Sequence, residues 1–231
     1  MLSLIIPCFN EEKNLPLLLK RCEVFEGRSD IEVILVDNGS TDASADVLQH
    51  LLPSHPICRS VRVEQNQGYG YGILFGLQAA KGDVLAWTHA DMQTDPQDVV
   101  RGYEIYKMAG FGSYVKGRRY GRPLVDTLFT VGMSFFETLL LQTPLWDINA
   151  QPNIFSKEFF ISWVNPPHDF SLDLYVYYLA RKHGLHVRRF PVNFGKRAHG
   201  SSHWNVDWAS KYKFISRTMA FSFELRRRLE K

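Results

Sequence analysis

At 231 residues, with 45% apolar and 22% charged residues, the chain is long enough to bury its own core and too apolar to be disordered. Its 27 Lys and Arg against 24 Asp and Glu leave a net charge of +3, which is too small for a nucleic-acid-binding surface. Three cysteines (Cys8, Cys22, Cys58) with no CxxC pair exclude a disulfide framework or structural zinc and fit a reducing cytosol.

Residues 2–6 are a short apolar run ending at Pro7, read as a first strand and not as a signal peptide. Leu15, Leu18, Leu19 and Cys22 recur at helical spacing before a second strand at 31–36. The turn formers Asp37 to Asp42 then lead into a helix carrying Ala45, Leu48 and Leu51. A third strand is expected at 60–64, a glycine-punctuated helix at 70–80 ended by Gly82, a fourth strand at 84–88, and a helix from about Pro96. Strand–helix alternation of this kind implies a parallel sheet covered on both faces. Further on, the patterns predict strands at 114–116, 148–156 and 186–192, and helices over Leu124–Leu141, 172–183 and 207–231. The 124–141 stretch carries Asp126 and Glu137, which argues against its spanning a bilayer. No repeat or linker divides the chain, so one α/β domain over 1–231 is expected.

In a parallel sheet, ligands gather at the carboxyl ends of the strands. Pro7, Asn10 and Glu11 follow strand one, Asp37 follows strand two, Asn66 follows strand three and Asp91 follows strand four. Asp91 can hold a divalent cation shared with substrate phosphates, since hard cations take oxygen ligands, or it can cap the helix near Pro96. Asp37 is free to accept from a base or ribose, because Thr41 or Asp42 can cap the next helix. Asn66 to Gly72 is glycine-rich but matches no phosphate-loop fingerprint, and reads either as a phosphate contact around Gly68 or as close helix packing.

Four motifs occur in order: Ile5-Ile-Pro-Cys-Phe-Asn-Glu-Glu-Lys-Asn-Leu15, Val36-Asp-Asn-Gly-Ser-Thr-Asp42, Asn66-Gln-Gly-Tyr-Gly70 with Ala80-Lys-Gly-Asp83, and Ala90-Asp-Met-Gln-Thr-Asp-Pro96. Together they resemble glycosyltransferase family 2 on the GT-A (Rossmann-like) fold, and within it the polyprenyl-phosphate sugar synthases. The similarity is strong over residues 1–120, the nucleotide-sugar-binding half. It is weaker over 121–231, the acceptor-side half, through Gly117-Arg-Arg-Tyr120 and Arg197-Ala-His-Gly-Ser-Ser202. The resemblance implies an inverting transferase with a UDP- or GDP-sugar donor and Mn²⁺ or Mg²⁺ as cofactor. It places Pro7, Asn10, Glu11, Asp37, Asn66 and Gly68 at the nucleotide and Asp91 with Gln93 at the metal. Arg119, Lys196, Arg197 and Ser202 would meet phosphates of donor or acceptor.

Two departures matter. His89 stands where an acidic metal ligand is usual, and is either a ligand favouring Mn²⁺ or a side chain packed on the strand end. Asp147-Ile-Asn-Ala-Gln-Pro-Asn153 replaces the usual acceptor-side element. A lipid-phosphate acceptor is already ionised and needs cations, whereas a glycan hydroxyl needs a base. Asp169 is the candidate base, and also a candidate N-cap. The closing helix, with Phe214, Phe221 and Leu225 beside Lys211, Arg217 and Arg226 to Arg228, packs on the core or lies on a membrane's cytoplasmic face. The main reading is transfer to a polyprenyl-phosphate-type lipid. The alternatives are a transferase acting on a glycan hydroxyl and a non-catalytic nucleotide-sugar-binding protein.

Overall fold

The structure, a computed structural model, describes residues 1–195, 197–200 and 208–229. Strands β1 (Leu2–Cys8), β2 (Ile31–Asn38), β3 (Cys58–Val63) and β4 (Val84–Trp87) alternate with helices α1 (Leu15–Cys22), α2 (Ser44–Leu51) and α3 (Tyr69–Gln78). Then follow α4 (Gln97–Ala109), β5 (Ser113–Tyr120), α5 (Leu124–Leu141), β6 (Asn153–Ser156), α6 (Lys157–Ile161), α7 (Ser171–Lys182), β7 (His186–Asn193) and α8 (Trp208–Leu229). The seven strands form one sheet in the order β3-β2-β1-β4-β6-β5-β7. It is mostly parallel: β1 pairs parallel with β2 and β4, while β6 is antiparallel to both β4 and β5.

Side chains alternate across the sheet as the pleat requires. Leu4 and Ile6 face one layer with Leu15, Leu18, Leu19, Val99 and Tyr103, whereas Ile5 and Trp87 face the other with Ile73, Leu77, Leu172 and Val176. Both layers are buried, which explains why the central strands read as unbroken apolar runs. Helix α5 contacts the domain through Ser134, Glu137, Leu140 and Leu141, and Glu137 is tied to α8 by Ser222 Oγ at 2.7 Å.

Two expectations are corrected. The strand expected at 148–156 forms only over Asn153–Ser156. Pro152 has no N–H for a ladder, so the preceding residues stay a connection. Helix α3 ends at Gln78, so Gly82 does not terminate it. A Cβ at Gly82 would lie 2.4 Å from the Met1 carbonyl oxygen, so the glycine is needed for close backbone approach.

Candidate active site

The strand order reverses at β1: β2 and β3 lie to one side, and the chain returns to the other side for β4. A crevice at such a switch point is the usual ligand site of an open α/β sheet. The connection after β1 and the connection after β4 flank it. Because β6 is antiparallel to β4 and to β5, strands β5 and β7 run with β1 to β4, so Arg119 and the residues after Asn193 finish at the same edge.

The connections after β1 and β2 are stitched together. Pro7 pairs with Val36, and Cys8 with Asp37. Asn10, in the left-handed region at φ 57°, accepts from Thr41 N at 2.9 Å, while its own N–H donates to Ser40 Oγ. Glu11 N donates to Ser44 Oγ, and Glu12 Oε2 accepts from Ala43 N. Asp37 is buried; Oδ1 accepts from Ser40 N at 2.9 Å, and Oδ2 lies 3.3 Å from Arg62 Nη1. Burial raises the Glu11 carboxyl, the Asn14 amide lowers it, and the nearby Asp91 charge raises it further.

Past β4, Asp91 Oδ1 accepts from Gln93 N at 3.1 Å, and Oδ2 lies 2.9 Å from Arg197 Nη2. Arg197 Nε also donates to Gln93 Oε1 at 3.1 Å. A reciprocal pair, Gly195 N to Gln93 O and Gln93 Nε2 to Gly195 O, holds the two segments side by side. His89 packs toward the Tyr69 ring, with centroids 5.7 Å apart. Burial lowers its pKa against the pull of Asp91 and Asp173, so its ring is neutral at pH 7.

Arg119 is anchored by Asp147, which the sequence marked only as the first residue of the departing 147–153 element and not as a site residue. Its guanidinium donates to Asp147 Oδ1 through Nε (2.8 Å) and Nη2 (2.5 Å), and its backbone N–H donates to Oδ2 at 2.8 Å. Arg189 approaches the same carboxylate at 3.7 Å. Burial alone would raise Asp147, but the Arg119 charge and hydrogen bonds outweigh it and hold the carboxyl below its ordinary value. Arg119 also lines a narrow cleft whose other walls include Met133, Ser134, Glu137 and Leu174.

Beneath these groups lies a buried polar cluster. Lys116 Nζ donates to Ala150 O and Asn153 Oδ1, both at 2.7 Å, and Asp173 Oδ1 accepts from Gln151 Nε2 at 2.9 Å. Burial lowers the Lys116 amine and raises the Asp173 carboxyl, each opposed by the other's charge. A charge inside an otherwise apolar run, as in Tyr114-Val-Lys116 and Leu172-Asp-Leu174, was the available signal for this pair.

The remaining sequence candidates are placed as follows. Asn66 donates to Asn38 O at the end of β2 and accepts from Gly68 N in its own loop, both at 2.9 Å. Gly68 sits at φ 113°, where a Cβ would come within 2.5 Å of the His168 carbonyl oxygen, so close packing explains this glycine. Asp169 is not the N-cap of α7, a position Phe170 takes; it stands one residue earlier, with Oδ1 accepting from Ser171 N at 2.9 Å and Oδ2 lying 3.6 Å from Arg217 Nε. Lys196 and Ser202 lie outside the described residues. Pro7, Glu11, Asp37, Asp91, Gln93, Arg119 and Arg197 all belong to the strand-end edge. Asp169 instead faces a separate cleft with Gly68 and α8.

Comparison with known proteins bears on the family and the fold. The glycosyl transferase family 2 model matches residues 3–162. The chain is similar to an undecaprenyl-phosphate 4-deoxy-4-formamido-L-arabinose transferase of Pseudomonas fluorescens, 29% identical over 219 residues, covering 88% of this chain and 60% of that protein. A protein of the same description from Pseudomonas paraeruginosa is 39% identical over 117 residues, covering 46% and 34%. The chain thus spans less than two thirds of the length of these relatives. Among solved structures, it resembles glucosyl-3-phosphoglycerate synthase of Mycobacterium tuberculosis in complex with Mn²⁺, UDP and glucosyl-3-phosphoglycerate (TM-score 0.71, 20% identity, 98% of this chain and 79% of that one). It also resembles a mannosyltransferase of Pyrobaculum calidifontis in complex with GDP-Man and Mn²⁺ (TM-score 0.70, 18% identity, 96% and 64%). With a GT-A sheet, the strand-end carboxylate and a family model matching more than half its length, the chain belongs to glycosyltransferase family 2.

Proposed function

We propose that the chain transfers a sugar from a nucleoside-diphosphate sugar to the phosphate of a polyprenyl-type lipid. The observation that carries this reading is the presence of two guanidinium groups at one strand-end edge, Arg197 on Asp91 and Gln93, and Arg119 on Asp147. Donor and acceptor each bring phosphate to such a centre, and arginine matches phosphate by its planar array of donors. The undecaprenyl-phosphate relatives support the acceptor class.

The stitched connections after β1 and β2 would seat the base and ribose, with Pro7, Glu11 and Asp37 lining the pocket. Asp91 and Gln93 would hold the divalent cation. Their oxygens suit a hard ion, and both already grip a positive group, the Arg197 guanidinium. When bound, that cation neutralises the diphosphate's charge. Arg197 would add positive charge beside the departing diphosphate, and Arg119, fixed by Asp147, would orient the acceptor phosphate. The acceptor oxygen bonds to the anomeric carbon as the bond to the nucleoside diphosphate breaks. An ionised phosphate needs no base, and the engagement of both Asp169 oxygens fits that chemistry.

The same reading places the chain on the cytoplasmic face of a membrane. Helix α5 is long and apolar enough to cross a bilayer, yet only 17% of it is buried. Leu124, Val125, Leu128, Phe135 and Leu139 are 62–81% exposed, while Glu137 turns inward. An outward apolar face on an anchored helix suits lying in a membrane interface, with the basic end of α8 as a second contact.

The test is transfer from UDP- and GDP-sugars to undecaprenyl phosphate and to soluble glycans, using wild type and Asp169→Asn. Lipid-phosphate product from both proteins is the expected result. Product only on a glycan hydroxyl, lost in Asp169→Asn, would replace this reading with hydroxyl transfer.

A further inference from the structure

We infer that Arg197 is the resident counter-ion of the cation site, so that a divalent metal and the nucleotide bind this enzyme as coupled partners and the metal alone binds poorly. The inference rests on the assignment of Asp91 and Gln93 to the cation. Arg197 reaches both: Nη2 lies 2.9 Å from Asp91 Oδ2, and Nε donates to Gln93 Oε1 at 3.1 Å. The oxygens proposed for a metal are therefore held by a guanidinium while no donor is present.

The contact belongs to a longer strap. Gly195 exchanges two hydrogen bonds with Gln93, at 2.9 and 3.1 Å, and the His199 carbonyl oxygen accepts from Asn14 Nδ2 at 3.3 Å. The contacts of Gly195 and Arg197 with Gln93 and Asp91, and of His199 with Asn14, thus reach both the β4 connection and the start of α1, on the two sides of the switch point. Asp91 is 6% exposed, so its carboxylate needs a positive partner at all times.

A metal arriving alone must break two charge-assisted contacts and leave the guanidinium beside a like charge. A metal arriving with a diphosphate brings anionic oxygens that accept the displaced guanidinium, so Arg197 exchanges one partner for another. Thermodynamic linkage makes the effect mutual: the nucleotide raises metal affinity by the factor by which the metal raises nucleotide affinity, commonly about 5- to 150-fold between coupled sites.

The experiment is titration of Mn²⁺ into the protein, following the loss of the free Mn²⁺ electron paramagnetic resonance signal, with and without saturating UDP or GDP. Wild type should bind Mn²⁺ weakly alone and far more tightly with nucleotide. Arg197→Ala should bind Mn²⁺ alone about tenfold more tightly, and the gain on adding nucleotide should shrink by a similar factor. Arg197→Gln, which keeps the side chain's length and polarity without its charge, should behave alike if the alanine variant folds poorly. Unchanged or weaker Mn²⁺ binding in both variants, with binding still lost in Asp91→Ala, overturns the counter-ion role and leaves the metal site standing. If Asp91→Ala/Arg197→Ala binds Mn²⁺ as Arg197→Ala does, the cation assignment itself fails, and this inference with it.

Discussion

Replacing Asp147 with asparagine tests how the fold fixes Arg119, the arginine proposed for the acceptor phosphate. The carboxylate and guanidinium side chains are 5% and 10% exposed, with three hydrogen bonds from Arg119 and Arg189 at 3.7 Å. The amide side chain would keep an acceptor but remove the negative charge, leaving the Arg119 and Arg189 guanidinium groups uncompensated. Breaking a buried pair by removing one partner costs about 3–5 kcal/mol, and the retained acceptor argues for the lower end, about 3 kcal/mol. For a chain of this size that lowers Tm by about 6–12 °C. Folded-state pairing depresses the Asp147 pKa, so its stabilisation is present above the unfolded value, about 3.9, and lost as pH falls through the lower folded value. Urea unfolding from pH 3 to 7 should therefore show the two proteins converging at the acid end. Arg119→Met/Asp147→Asn should be less destabilised than Asp147→Asn alone. A variant within about 0.5 kcal/mol of wild type at pH 7, the ordinary surface effect, would refute the reasoning.

Three further outcomes are expected. The Glu137 carboxyl is fully buried and pushed up to about 7 by burial, against the Ser222 hydrogen bond. Because the folded pKa lies above the unfolded one, stability falls as pH rises from about 4.5 to 7, by on the order of 3 kcal/mol; Glu137→Gln should flatten that slope in pH-dependent unfolding. Leu128→Glu/Phe135→Glu, at sites 70% and 64% exposed, should leave Tm nearly unchanged but abolish co-flotation with anionic vesicles; retained flotation would remove α5 from the membrane contact. Arg119→Lys keeps the charge but loses the paired Nε and Nη2 donation to Asp147 Oδ1, and should raise the acceptor KM about tenfold or more while donor affinity, read by calorimetry, stays close to wild type.

Much of the fold was legible because buried parallel strands write themselves as apolar runs. Residues 31–36 and 84–88 announced β2 and β4, and Leu124–Leu141 is one helix with those bounds. The strand anticipated from 148 was misread because Ile148 and Ala150 are buried in a connection whose purpose is to carry Asp147 and Gln151 to the strand-end edge. Carboxylates that follow strands, such as Asp37 and Asp91, were legible because chain direction alone delivers them to one edge. Their partners were not. Arg197 pairs with Asp91 across 106 residues, and Arg119 with Asp147 across 28, and no local pattern encodes such contacts. Asp169 drew attention as a base, but its pairing with Arg217 depends on how the start of α7 meets α8. Asp173, four residues on and fully enclosed, is the group that faces Lys116 and His89.

The central claim is that the carboxylate past β4 grips a cation together with the donor diphosphate. Calorimetric titration of UDP- and GDP-sugars into wild type and Asp91→Ala, with and without Mn²⁺, tests it most directly. Wild type should bind one donor class only with Mn²⁺ present and gain about 2.7 kcal/mol of stability at a hundredfold excess of ligand over Kd, and Asp91→Ala should lose both effects. Donor binding that is equal in the two proteins and indifferent to Mn²⁺ would contradict the account.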